Sequence, residues 1–145
     1  MIDTIERSIF VAADIERVWE ALTTAEGIRS WFGDEAEVDL RPGGEARFGW
    51  SEYGESSHAI VVDVERPRRF SYRWAASGVD RADTGPSTLV AFTLTESNGG
   101  TEVAVVESGF ASLPVEIFEK SLAENTAGWR AEMQDLHDYL TSSDT

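Results

Sequence analysis

With 145 residues, the chain has the length of one domain and can bury about two-thirds of the surface that its unfolded form exposes. Its 41% hydrophobic content is ordinary for a globular protein, and no apolar run approaches the ~20 residues that span a bilayer. A net charge of −15, with Lys120 as the single lysine, excludes the clustered basic surface that nucleic acids and anionic membranes reward.

Without cysteine the chain has no disulfides or thiol chemistry. The opening Met1-Ile2-Asp3-Thr4 lacks the basic-then-apolar order of a signal peptide. Both features fit a cytoplasmic protein. The acidity disperses the molecule from like-charged partners, and a salty cytoplasm would select for the same composition.

Ile5 to Val11 reads as an opening strand. Asp14 is placed to cap a helix whose stripe is Ile15, Val18, Trp19 and Leu22. Thr23 with Glu26 forms a capping-box pair for a second short helix, which carries Ile28, Trp31 and Phe32 and ends at Gly33. Strands follow. After Glu35–Leu40 and the turn Arg41-Pro42-Gly43-Gly44, the residues Ala46, Phe48 and Trp50 alternate with polar neighbours. His58, Ile60, Val62 and Val64 line one side of the next strand, and Phe70, Tyr72 and Trp74 alternate in the one after. The Arg66, Arg68, Arg69 and Arg73 cluster reads as a solvated edge. Ala75 to Ser87 is small and polar and reads as a mobile loop. Val90, Phe92 and Leu94 then oppose Val103, Val105 and Glu107 across a hairpin turned at Asn98-Gly99-Gly100.

The last third is helical. Val115, Phe118, Leu122, Trp129, Met133, Leu136 and Leu140 recur at steps of three, four or seven, and Pro114 suits the first turn. Such a helix runs about 40 Å. Gly128 interrupts it at a cost of about 1 kcal/mol relative to Ala. A kink or a close pass over a strand would explain the glycine; so would room left beside Trp129 for a guest.

This order predicts an α+β fold: a curved antiparallel sheet of about six to seven strands wrapped around a long C-terminal helix, with two short helices after strand 1. Aromatic residues dominate the inward set, and bulky rings on a curved sheet suggest an internal pocket.

The motifs also resemble a known family. They begin with Val11-x-Ala13, Val18-Trp19-x-Ala21-Leu22-Thr23 and Trp31-Phe32, and continue with Gly43-Gly44, Phe48, Val64, Pro67 and Arg69-Phe70-x-Tyr72-x-Trp74. Gly100-Thr101, Ser108-Gly109-Phe110 and Asn125-x-x-Gly128-Trp129 close the set. The chain resembles the SRPBCC, or START/Bet v 1-like, superfamily, in the branch named after activators of a heat-shock-protein ATPase. Residues 1–145 then form one such domain. The resemblance implies a helix-grip fold with a cavity for an apolar small molecule between the long helix and the sheet. Carried onto this sequence, the ligand-binding set is Trp31, Phe32, Phe48, Trp50, His58, Tyr72, Trp74, Phe92, Phe118, Leu122, Trp129 and Met133. Many relatives have His before Ser-Gly-Phe; here Glu107 stands there and joins the set. If it points inward it must be hydrogen-bonded, paired or protonated, with His58, Tyr72 or Arg47 as conceivable partners; a rim position is the alternative.

Neither His58 nor His137 has a metal-motif partner, Asp80, Asp83 and Gly85 fall short of a calcium loop, and no phosphate loop or dinucleotide fingerprint occurs, so no metal, cofactor or catalytic residue is assigned. Three functions remain. The leading one is a non-enzymatic module that binds an apolar or aromatic ligand. A co-chaperone-like domain docking on a chaperone is the second. The third is a cyclase- or hydrolase-like enzyme, or a self-resistance protein for a reactive natural product, drawing on Glu107, His58 and Tyr72. A homodimer is compatible with each.

Overall fold

Alternation along the strands and a 3.6-residue stripe along the last helix dictate the architecture. In the computed structural model, which describes residues 3–76 and 81–142, the strands are β1 (Thr4–Val11), β2 (Glu35–Val38), β3 (Glu45–Trp50), β4 (Glu55–Glu65), β5 (Arg69–Ala75), β6 (Ser87–Ser97) and β7 (Gly100–Ser108). Helices α1 (Ile15–Thr23) and α2 (Ala25–Arg29) follow β1, and α3 (Val115–Ser142) closes the order. The seven strands form one antiparallel sheet in the order β1-β7-β6-β5-β4-β3-β2. Each strand from β2 to β7 is therefore connected to its neighbour in the sheet, and the β1–β2 connection, through α1 and α2, runs from one edge to the other. This is the helix-grip arrangement, with the sheet curved around α3.

The concave face carries Ala46 and Phe48 from β3, Phe70, Tyr72 and Trp74 from β5, Val90, Phe92 and Leu94 from β6, and Val103 and Val105 from β7, all buried. Trp129, Met133, Leu136 and Leu140 of α3 are buried against this layer, and Trp19 packs edge-on to Phe70 beneath α1. The Asn98-Gly99 turn has φ of 47° and 80°, so both central residues are left-handed, and Ser97 pairs with Gly100 in the two-residue hairpin expected of that dipeptide. Arg66, Arg68 and Arg69 pair with Glu16, Glu96 and Asp63 at the surface, as a solvated edge should.

Three local features differ from the sequence reading. Helix α2 ends at Arg29, and its cap is Thr24, whose hydroxyl accepts from the Gly27 N–H at 2.9 Å, in place of Thr23. Trp31 and Phe32 lie beyond the helix and are buried by the turn into β2. Asp14 holds the N-cap position of α1 without a side-chain bond to the helix. The inward face of β4 is also inverted. Ala59 and Val61 pair with Trp74 and Tyr72 on the concave side, which turns His58, Ile60 and Val62 outward. A register shift between Val61 and Asp63 then returns Val64 to the inside opposite Phe70, because a bulge adds one residue to the two-residue period. The centre of the loop over Ala75–Ser87, residues 77–80, lies outside the described residues, as do Asp80 of the discounted calcium motif and Met1 and Ile2.

Candidate functional site

Glu107 is the chemical centre of the interior. It sits near the end of β7, inward by alternation, and is 0% exposed. Its Oε1 accepts the Trp129 indole N–H at 2.8 Å and the Asn125 amide at 3.1 Å. Its Oε2 accepts the Trp74 indole N–H at 2.9 Å, the Thr88 hydroxyl at 2.5 Å and the same Asn125 amide at 2.9 Å. The indoles and the amide NH₂ can only donate, and with the Thr88 hydroxyl they occupy the acceptor positions of both carboxyl oxygens. The inward alternative for Glu107 is the one realised. Its partners come from β5, β6 and α3, and none of His58, Tyr72 or Arg47 is among them.

The aromatic set surrounds this centre. Phe32 stacks on Trp74 and on Trp129 at centroid distances of 6.0 and 5.6 Å, and Trp74 stacks on Trp129 at 5.6 Å. Trp31, Phe48, Tyr72 and Phe92 pack around these rings edge-on or tilted. The rings thus stack on one another across the space expected to be a cavity, where flat side chains from opposite walls meet. Burial, with Glu107 and Glu132 nearby, pushes the Tyr72 phenol well above its usual range.

The packing loosens toward the N-terminal half of α3. Trp129, Met133, Leu136 and Leu140 are buried, whereas Phe118 and Leu122 on the same stripe, and Asn125 beside it, are only half-buried. Trp50, at the end of β3, is also half-buried and donates its indole N–H to Glu132 Oε2 at 3.3 Å. Burial and a hydrogen bond to Asp135 raise the Glu132 carboxyl to about 8, against the lowering effect of Trp50. At Gly128 an added Cβ would meet nothing within 4 Å, so no strand passes close to that glycine.

His58 is separate from this site. On the outer face its Nδ1 accepts the Ala82 N–H at 3.0 Å and its Nε2 lies 2.8 Å from Glu45 Oε1. Arg81 joins Glu45 at 3.0 Å and pairs with Asp83, so this group fastens the β5–β6 connection to the back of the sheet. His58 is therefore a latch in the structure, and the other twelve proposed ligand-binding residues lie on the concave side. The sequence does not mark Asn125 and Thr88 as site residues, although Asn125 and Trp129 stand one turn apart within the Asn125-x-x-Gly128-Trp129 motif. Among the described residues no three His, Asp or Glu side chains gather to hold a metal, and no helix is long and apolar enough to cross a membrane. Two depressions of about 410 Å³ are open at the surface. One lies between Trp31, Gly33 and the C-terminal half of α3, the other beside the Asn98-Gly99 turn.

Comparison with known proteins agrees with this architecture. The crystal structure of DynU16, a protein of the dynemicin biosynthetic locus, is similar with a TM-score of 0.80 and 26% identity, covering 99% of this chain and 49% of DynU16, so the chain spans about half of that protein's length. The Aha1 dimer from Colwellia psychrerythraea has a TM-score of 0.79 at 19% identity with 100% of each chain covered. CalU16 from Micromonospora echinospora has a TM-score of 0.73 at 24% identity, covering 97% of this chain and 77% of its own. No curated protein matches the sequence. The family model of activator of Hsp90 ATPase homolog 1-like proteins matches residues 12–141, nearly the whole chain, and the chain belongs to that family.

Proposed function

We propose that the chain is a small-molecule-binding protein that holds an apolar or aromatic ligand between α3 and the concave face of the sheet. The observation that carries this reading is the change of burial along a single helical stripe. From Trp129 onward the stripe is sealed, while Phe118 and Leu122, pointing the same way, remain half-buried. Apolar side chains that face a sheet yet stay accessible support a groove here, whose mouth they would line and whose floor would be the Glu107 cluster. The saturation of Glu107 favours binding over catalysis, since the group on which acid–base chemistry would rest is occupied by donors from the protein itself. DynU16 belongs to a biosynthetic locus for a small molecule, which supports the same direction.

The test is titration with N-phenyl-1-naphthylamine, a neutral apolar fluorophore that avoids repulsion by the acidic surface, while tryptophan emission is followed. Saturable binding is expected, weakened at least tenfold in Phe118→Asp with the far-UV spectrum unchanged. Absence of any saturable signal in the natural chain would remove the proposal.

A further inference from the structure

Ser121, Asn125, Gly128 and Glu132 follow one another along α3 at steps of four, three and four, so they form one ridge beside the inward stripe. Two members of this ridge are poor choices for the stability of a helix. Ser121 is 1% exposed, and its hydroxyl has no hydrogen-bond partner. A hydroxyl in a helix ordinarily returns to the carbonyl four residues back, as Thr126 does to Leu122 at 2.6 Å. Ser121 does not, and alanine there would remove an unsatisfied buried group. About 10 Å further along the axis, Gly128 forgoes the helix propensity that alanine would supply. Space does not demand the glycine, because a Cβ would meet nothing within 4 Å. Between them Asn125 turns its amide inward to Glu107, and one turn beyond Gly128 the Glu132 carboxyl holds Trp50. Positions that break a local rule without local compensation point to a functional site.

We infer that this ridge is the polar wall of the ligand site. The Ser121 hydroxyl forms a hydrogen bond with a hydroxyl or carbonyl on a planar, otherwise apolar guest, whose ring system lies over the space left by Gly128. The inference rests on the reading of the groove as a binding site, and it narrows the ligand to flat molecules carrying an oxygen function. Ser121 is then the residue that selects the oxygenated guest over its hydrocarbon analogue.

Equilibrium dialysis of the full chain with naphthalene and with 2-naphthol tests this. The natural chain is expected to bind 2-naphthol about tenfold more tightly, the worth of one well-placed buried hydrogen bond. Ser121→Ala should abolish that preference and raise the Tm by about 2–4 °C, since it removes an unpaired hydroxyl. Gly128→Ala should also raise the Tm, while weakening both probes. A preference absent from the natural chain, or one retained in Ser121→Ala, would overturn the inference alone and leave the binding site standing. So would a lowered Tm in Ser121→Ala, which would show the hydroxyl to be paired within the fold. If the natural chain binds neither probe, the binding site itself falls, and this inference with it.

Discussion

Trp129 on α3 donates its indole N–H to Glu107 on β7 at 2.8 Å, and Trp74 on β5 donates to the other carboxyl oxygen at 2.9 Å. The helix and two strands are thereby tied through one buried side chain, in an interior held mostly by apolar contact. Apolar packing tolerates sliding. A carboxyl receiving two rigid indoles does not, so the cluster fixes how α3 lies across the sheet.

Glu107→Gln should therefore be costly despite its near-identical volume. Whichever way the new amide faces, its NH₂ opposes either Trp129 or Trp74, and one indole N–H loses its acceptor. The expected loss is about 3 kcal/mol, seen as a lower urea midpoint at unchanged m. A midpoint equal to that of the natural chain would show that the indoles are satisfied in some other way.

The overall fold was legible because its signals are long and redundant. Seven apolar positions of α3 share one helical phase, and the Asn98-Gly99 turn demands a hairpin of one type. The face of β4 was not legible, because His58, Ile60 and Val62 alternate as convincingly as Ala59 and Val61, and small alanine gives little weight to the true face. Only pairing with Tyr72 and Trp74 decides it, and the bulge before Asp63 changes the phase midway. The Glu107 cluster was half legible. That an inward Glu107 must find partners followed from desolvation, but Trp74, Thr88, Asn125 and Trp129 are brought together by sheet register and helix phase, which no local spacing reveals.

Glu132 gives the protein a pH dependence of definite sign. Its folded value of about 8 lies above the ordinary carboxyl range, so between about pH 4.5 and 8 the folded state holds a proton that the unfolded state has released. Stability is then fully present below the unfolded value and declines as pH rises through the folded one. Because the carboxyl is partly solvated, screening leaves an effect on the order of 1–2 kcal/mol. Thermal melts from pH 5 to 8.5 should show a falling Tm, and Glu132→Gln should flatten that slope. A variant with the same slope would assign it to another group.

His58 should govern the β5–β6 connection without governing the core. Its Nδ1 accepts the Ala82 N–H, and losing that acceptor leaves the amide to water. Hydrogen exchange at Ala82 in His58→Ala is expected to quicken by about tenfold, the equivalent of one modest hydrogen bond. The tryptophan amides of β5 and α3 should keep their protection. Loss of protection throughout the sheet would mean that the latch supports the whole fold.

Gly33 supplies the opposite case to Gly128. Its φ is +107°, and a Cβ built there would stand 2.5 Å from the Gly49 carbonyl oxygen and 3.1 Å from the Trp50 indole nitrogen. The backbone conformation and the close approach each disfavour a side chain, and the obstructing atom on β3 is main chain, which cannot swing aside. Gly33→Ala should cost about 2–3 kcal/mol and shift Trp50, which leans on this glycine and reaches Glu132 on α3. The expected signature is a lower Tm together with altered tryptophan emission and a pH slope that extends to higher pH, because displacing Trp50 removes the hydrogen bond that holds the Glu132 carboxyl down. Retention of both the Tm and the slope would show that β2 can move away from β3 at this edge and that Trp50 is not held by the glycine.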